Sequence, residues 1–297
     1  MNTSRLSWKM AATAGILGGT IAAIAASAAD LGLNSERLVL IVGDEVTVHM
    51  GVGNAGPLAV WGTTLKHDPT RLELVAQGAG TATNFVADSR GLTEMNAAGE
   101  ARTGGYAFTN RVVAGEELAK FRYRAKAAGT TQIVTENRTG SNPFGNAFQG
   151  LGGSQESPSL GPAVLPLTIL DASDSDHDGM SDAWESYYFG GTNAVKGGAT
   201  DDRDGDGQSN LSEYRARTDP TDPSSALAVA ACEPRSGQVI LRWRSVTGKT
   251  YGVGRTGDLR LGFGAKEATG IAATPPLNTY TSNIGSSAVG FYRIELE

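Results

Sequence analysis

The stretch Leu38-Val39-Leu40-Ile41-Val42-Gly43-Asp44-Glu45-Val46-Thr47-Val48-His49-Met50-Gly51-Val52 governs how the first half of the chain is read. A short apolar run stops at Gly43-Asp44-Glu45, residues that turn a chain. Beyond the turn, Val46, Val48, Met50 and Val52 alternate with Thr47, His49 and Gly51. A period of two places every second side chain on one face, the signature of a half-buried β-strand. Asn54-Ala55-Gly56-Pro57 breaks it. Residues 60–66 predict the next strand, ended by His67-Asp68-Pro69, with Leu72, Leu74 and Val75 following. Further strands are expected at 84–87, 105–109, 118–125, 131–135 and 165–170. Counting by two from Leu65 puts Trp61 on the same side, which favours a core position. Many short strands separated by Gly, Pro and Asn predict an antiparallel sandwich. The stretch 139–161, rich in Gly, Ser, Asn and Pro, is a long loop of that sandwich or a linker. A closing strand at 165–170 favours the loop.

The second half opens on a different pattern, written twice, 28 residues apart. Asp174-Ser175-Asp176-His177-Asp178-Gly179-Met180-Ser181-Asp182-Ala183-Trp184-Glu185 and Asp202-Arg203-Asp204-Gly205-Asp206-Gly207-Gln208-Ser209-Asn210-Leu211-Ser212-Glu213 each carry oxygen-bearing side chains at positions 1, 3, 5, 9 and 12, with Gly at position 6. This is the ligand pattern of an EF-hand calcium loop. Calcium takes six to eight oxygens, so a short loop must turn back on itself, and the glycine permits the turn. Asp174, Asp176, Asp178 and Glu185 are the expected side-chain ligands of the first site; Asp202, Asp204, Asp206 and Glu213 are those of the second. Met180 and Gln208 would offer only backbone carbonyls, and Asp182 and Asn210 are placed to act through water. His177, at position 4, is expected to face away from the ion. Two Ca2+ ions are therefore expected. The apolar residues Trp184, Tyr187, Tyr188, Leu211 and Tyr214 suit two short helices packed face to face.

Between Asp171 and Asp222 there are 13 acidic and 4 basic side chains, a net of −9. The whole chain carries −6, which leaves +3 for the remainder. Without metal this segment repels itself; with metal it becomes a compact spacer. Calcium sensors expose an apolar, often Met-rich groove, whereas only Met180 lies here, so a structural role is favoured. The acidity is confined to this segment, which argues against nucleic-acid binding.

Two resemblances follow from these residues. Val42-Gly43-Asp44-Glu45-Val46-Thr47-Val48, a loop, then Leu65-Lys66-His67-Asp68-Pro69-Thr70-Arg71-Leu72-Glu73-Leu74 resembles the opening of a cohesin module. Ala119-Lys120-Phe121-Arg122-Tyr123-Arg124-Ala125-Lys126-Ala127-Ala128-Gly129 is similar to that family's strand with a basic outer face. The likeness spans residues 30–171 and implies a jelly-roll sandwich, a fold shared with a superfamily of carbohydrate-binding modules, and a dockerin as partner. His67 departs from it, standing where an aromatic is common. Dockerins are themselves paired EF-like loops, so 174–213 invites the same comparison, and differs. Dockerin loops usually end in Asp, and these end in Glu. Positions 10 and 11 are Ala183-Trp184 and Leu211-Ser212 rather than small hydroxyl or basic recognition residues. With Thr218-Asp219-Pro220-Thr221-Asp222-Pro223 behind it, the segment more closely resembles the thrombospondin type 3-like calcium spacers of secreted bacterial multidomain proteins.

Residues 1–29 read as a secretory signal: Arg5 and Lys9 precede an Ala-rich apolar run, and Ala26-Ser27-Ala28 is a small-x-small cleavage site. No membrane span is expected in the mature chain, and an extracellular or cell-surface location follows. Cys232 is the only cysteine, so core burial or metal must stabilise an exported chain; it reads as a strand or core residue rather than a nucleophile. In 225–297, Val239–Trp243 alternates and is followed by Ser245–Tyr251, which predicts a hairpin, with Phe291–Ile294 as a terminal strand. This tail resembles small β-sandwich tails of secreted bacterial proteins, and Trp243 reads as core.

None of the three histidines has a second His or Cys at zinc spacing, and neither a Gly-x-Ser-x-Gly elbow nor a P-loop occurs. The expected organisation is a signal (1–29), a cohesin-like sandwich (30–171), paired calcium loops with short helices (172–224) and a small C-terminal β-sandwich (225–297), mainly β throughout. The expected function is that of a secreted, non-catalytic, calcium-binding recognition or assembly protein, its cohesin-like module binding a secreted, dockerin-like protein or a polysaccharide and its calcium loops serving as a rigid spacer. In a competing reading the module is a carbohydrate-binding one, with Trp61, Tyr106 or Phe108 stacking on the sugars of a polysaccharide.

Overall fold

The computed structural model describes residues 31–52, 58–81, 84–106, 116–136, 147–150, 155–156, 162–284 and 290–297. The expected signal at 1–29, Phe108 and most of 139–161 lie outside these residues. In chain order the elements are β1 (Leu31–Ser35), β2 (Val39–Ile41), β3 (Glu45–Val52), β4 (Leu58–Lys66), β5 (Leu72–Ala79), β6 (Asn84–Val86), α1 (Leu92–Ala98), β7 (Glu100–Tyr106), β8 (Glu117–Ala125), β9 (Gly129–Glu136), β10 (Ala147–Gly150), β11 (Gln155–Glu156) and β12 (Val164–Leu170). Then follow α2 (Asp182–Phe189), α3 (Asn210–Ala216), β13 (Val229–Arg235), β14 (Gln238–Arg244), β15 (Thr250–Thr256), β16 (Lys266–Ala272), β17 (Leu277–Asn283) and β18 (Phe291–Leu296). None of the described helices is long and apolar enough to cross a membrane.

The chain divides into two compact units. The first takes the residues up to Ser35 with Thr47–Arg124 and Thr130–Leu167; the second takes Glu36–Val46, Ala125–Gly129 and Thr168–Glu297. The first unit is a β-sandwich. One sheet runs β1-β3-β8-β5; the other runs β11-β10-β4-β9-β12, with β7 and β6 added alongside β4. The period-two strands bury the residues their pattern assigns to the core: Val46, Val48, Met50 and Val52 on β3, Phe121 and Tyr123 on β8, Ile133 on β9, Leu165 and Leu167 on β12. Trp61 is 2% exposed and belongs to that core.

Four local features depart from the sequence reading. First, the strand expected at 105–109 starts earlier, at Glu100, and follows a helix, α1, that the pattern does not reveal. The helix has seven residues and buries only Met95, too short a run to show a 3.6-residue period. Gly99 ends it at φ 63°, where an added Cβ would sit 2.7 Å from the His67 carbonyl; glycine is needed there for both reasons. The Asn96 side chain pins the helix to β5, accepting from the Leu74 amide at 2.7 Å and donating to its carbonyl at 2.8 Å. Second, the stretch 139–161 is not loop alone: β10 pairs with β4, and β11 with β10. Third, β1 is an additional strand, antiparallel to β3. Fourth, β2 pairs in parallel with the end of β12, Val39 opposite Thr168 and Ile41 opposite Leu170.

In the second unit the expected hairpin does not form. β14 lies in the sheet β13-β14-β17, and β15 in the sheet β16-β15-β18. Val239, Leu241 and Trp243 on β14 share one core with Tyr251 and Val253 on β15. Both strands are half-apolar, and facing sheets bury both apolar faces, which side-by-side pairing would leave uncovered on one side. The connection is fastened by Tyr251, whose hydroxyl accepts from the Val246 amide at 2.9 Å. Phe291–Leu296 is the expected terminal strand, paired with β15. Trp243 is fully buried, and Cys232 is an exposed strand residue.

Candidate metal centre

The two acidic loops in the second unit have the same backbone. The position-1 carboxylate accepts two amides in each: Asp174 from His177 (2.7 Å) and Gly179 (3.0 Å), Asp202 from Gly205 (2.7 Å) and Gly207 (2.9 Å). The position-5 carboxylate accepts the position-7 amide, Asp178 from Met180 and Asp206 from Gln208. Positions 4 and 6 are left-handed in both, with φ 61° and 94° at His177 and Gly179, and 83° and 97° at Gly205 and Gly207. The position-9 amide closes each loop onto the residue before it, Asp182 to the Ser173 carbonyl (2.9 Å) and Asn210 to that of Asp201 (2.7 Å).

A serine at position 8 then caps a helix: Ser181 accepts from the Trp184 amide at the start of α2, and Ser209 from that of Ser212 at the start of α3. These serines were not among the predicted site residues. Their signal is an ordinary N-cap preference, legible only once the loop is known to end in a helix.

This backbone gathers carboxylates. Ligand atoms of Asp174, Asp176 and Asp182 lie within 4.8 Å of one another, as do those of Asp176, Asp178 and Glu185, and those of Asp202, Asp204 and Asp206. Oxygens bound to one calcium at 2.3–2.6 Å are at most about 5 Å apart, so these spacings suit a single ion. Glu213 falls outside the 4.8 Å group of the second loop. Glu213 and Asn210 are both fully buried, and Glu213 Oε2 and Asn210 Oδ1 have no hydrogen-bond partner. Asp204 Oδ2 and Asp206 Oδ2 are orphaned likewise, as are both carboxylate oxygens of the fully buried Glu185.

Buried, unpartnered carboxylate oxygens are costly. Desolvation, then the neighbouring aspartates, pushes the Glu185 carboxyl up to about 7. Desolvation also pushes Glu213 up to about 8, opposed by the Thr218 hydroxyl and reinforced by Asp204 and Asp206. Burial raises Asp204 as well. The hydrogen bonds from Ser175 act oppositely on Asp182 and hold it below the usual carboxylate range. A divalent cation in each loop would satisfy the orphaned oxygens of that loop, and an all-oxygen donor set suits a hard ion such as calcium.

The position-7 side chains point out of the loops. Met180 is buried against Ile41 and Trp184, and Gln208 donates to the Leu227 carbonyl at 3.2 Å. Each leaves its own carbonyl as the only contribution it can make. The helices meet where Trp184 of α2 lies 5.3 Å from Tyr214 of α3, and within α2 the Trp184 ring lies 5.1 Å from Tyr188 and 5.2 Å from Phe189.

No family profile matches the sequence, and no curated protein matches it. Among solved structures the chain is similar to a cohesin module from a Clostridium perfringens family 33 glycoside hydrolase, at 8% identity and a TM-score of 0.39, over 49% of this chain and 99% of that one. A type I cohesin from Pseudobacteroides cellulosolvens aligns at 18% identity and a TM-score of 0.38, covering 50% and 96%. A type II cohesin domain from the cellulosome of Acetivibrio cellulolyticus aligns at 19% identity and a TM-score of 0.36, covering 47% and 95%.

Proposed function

We propose that this protein is a secreted, non-catalytic calcium-binding assembly protein. The 174–185 and 202–213 loops each take one Ca2+, and the N-terminal sandwich supplies a face that recognises a secreted partner. The observation that carries the calcium reading is the pair of buried glutamates at position 12, Glu185 and Glu213, with unpartnered oxygens behind clustered aspartates. Calcium titration by calorimetry on the mature chain tests it. Two sites are expected, one lost in Glu185→Gln and the other in Glu213→Gln; a titration without binding heat overturns it.

The partner reading rests on the cohesin-like motifs at 42–48, 65–74 and 119–129, and its expected ligand is a dockerin-like protein. In the polysaccharide alternative Trp61 would have to stack on sugar, and its burial removes it from that role. Tyr106, 36% exposed, is the aromatic left to that alternative among the described candidates. A pull-down on insoluble polysaccharides run beside one on secreted proteins separates the two. Retention on polysaccharide that Tyr106→Ala abolishes would replace the protein partner with a glycan.

A further inference from the structure

Both loops converge on one short turn of the second unit, the β2–β3 turn at Val42–Asp44. From the first loop, Met180 at position 7 and Trp184 at position 11 bury Ile41. From the second loop the link is polar. Arg217 caps the C-terminus of α3 in a left-handed conformation, φ 62°, its amide donating to the Glu213 carbonyl. Its Nε donates to both carboxylate oxygens of Asp44, at 3.1 and 2.9 Å, its Nη1 to the Tyr214 carbonyl, and its guanidinium lies 4.4 Å over the Tyr214 ring. Asp44 is nearly buried; it accepts the Ile41 amide at 3.0 Å and faces Arg37 at 3.6 Å. Thr218, next in the chain, donates from its hydroxyl to Glu213 Oε1 at 3.1 Å and from its amide to the Glu213 carbonyl at 3.1 Å. The position-12 glutamate and the arginine that grips Asp44 are therefore held by the same turn of chain.

We infer that calcium in these loops clasps the β2–β3 turn, with Arg217 as the positioning residue that transmits occupancy of the second loop to Asp44. The inference rests on the calcium reading above. α3 has only seven residues, too few to persist without tertiary support. Its first turn contains positions 9 to 12 of the loop. Without the cation, Glu213 Oε2 and Asn210 Oδ1 stay buried without partners, a cost that loosens that turn; Arg217 loses its cap position, and Asp44 is left a buried anion with one partner fewer. The linkage is reciprocal: a turn held by Arg217 raises the calcium affinity of the second loop.

Hydrogen exchange on the full mature chain reads the clasp directly. The reporters are the amides of Ile41, Val42, Gly43 and Asp44, bonded to Asp44 Oδ2, Leu170, Ala125 and Ile41. In the native chain, calcium is expected to slow their exchange by about tenfold or more relative to chelator, equivalent to about 1.4 kcal/mol of coupling. Arg217→Met, which keeps the stem and touches no ligand, is expected to bind two calcium ions in calorimetry while its β2–β3 turn no longer responds to them. Asp44→Asn is the second variant, should Arg217→Met fail to fold, and is expected to do the same. Both should weaken the second site and leave the first unchanged. Two bound calcium ions with identical exchange at 41–44 with and without metal would overturn the clasp and leave the calcium reading intact. Absence of calcium binding would remove both.

Discussion

The 174–185 and 202–213 loops share a backbone and differ in how they hold their candidate ligands. Positions 1, 5 and 9 make the same hydrogen bonds in both, and positions 4 and 6 share the left-handed conformation. At position 9 the first loop has Asp182, an ionised side chain that already accepts the Ser175 amide at 2.9 Å. The second has Asn210, fully buried, its amide nitrogen donating to the Lys196 and Gly198 carbonyls at 3.1 and 2.9 Å and its oxygen left unpartnered. The first loop therefore gathers five carboxylates; the second gathers four and fixes a neutral fifth oxygen in advance. Where charge is lower, preorganisation takes its place. Residues that shape the loop are thus separable from residues that tune the site.

The comparison is sharpened most by the position-12 variants. In calcium at a hundredfold excess over Kd, each occupied site adds about 2.7 kcal/mol of stability. Glu185→Gln and Glu213→Gln should each remove one such increment, read as a lower melting temperature in calcium and no such loss in chelator. If either variant abolishes both sites, the loops are a single cooperative unit and the comparison fails.

Position 9 separates the loops next. In chelator, Asn210→Ala should cost about 1–3 kcal/mol, because the Lys196 and Gly198 carbonyls lose buried donors. Asp182→Ala should cost less than Asn210→Ala, since the lost surface hydrogen bond is offset by relieved repulsion. Chemical denaturation of both variants without calcium checks this, and equal costs would break the assignment of preorganisation to the second loop alone.

Proton linkage gives a third test. Both buried glutamates titrate above the ordinary value of 4.5, Glu185 at about 7 and Glu213 at about 8. The calcium-free folded state therefore retains protons that the unfolded chain releases. The stability that this protonation contributes is fully present below about pH 4.5 and is lost as pH rises toward those values. Glu213→Gln should end the decline near pH 7, and Glu185→Gln should leave it running toward pH 8. Melts in chelator across this range check it; stability that rises with pH over the same window would contradict the burial of these carboxylates.

The smallest effect is expected at position 4. His177 holds a left-handed conformation that costs a non-glycine residue roughly 1–2 kcal/mol. Glycine relieves this at an entropic cost of about 0.5–1 kcal/mol. His177→Gly should stabilise the chain slightly and make the first loop more like the second.

Much of this was legible from residue order. Strands with strict period-two alternation, such as β3 and β8, bury the residues their spacing assigns to the core, because alternation is a property of the chain itself. The clustered carboxylates of the two loops were legible for a related reason: a twelve-residue loop must find its oxygens within its own sequence. Other features were hidden. α1 buries one residue and leaves no periodic trace. The β14–β15 relation was hidden because alternation reports which side chains face a core and not which strand lies alongside. The Lys196 and Gly198 carbonyls that aim Asn210 come from backbone, which every residue possesses and no motif marks.

Residue order is enough for the β-rich class, the inward faces of the strands, and the two loops with their glycines and carboxylates, since each depends on local spacing and backbone conformation. Tertiary packing adds that Glu185 is buried with both carboxylate oxygens unpartnered and Glu213 with one, that β14 and β15 belong to facing sheets, and that Arg217 reaches Asp44, 173 residues away in the chain. Burial, sheet partnership and a long-range ion pair depend on which distant segments come together. That is settled by the joint packing of apolar faces, which no single stretch of sequence specifies.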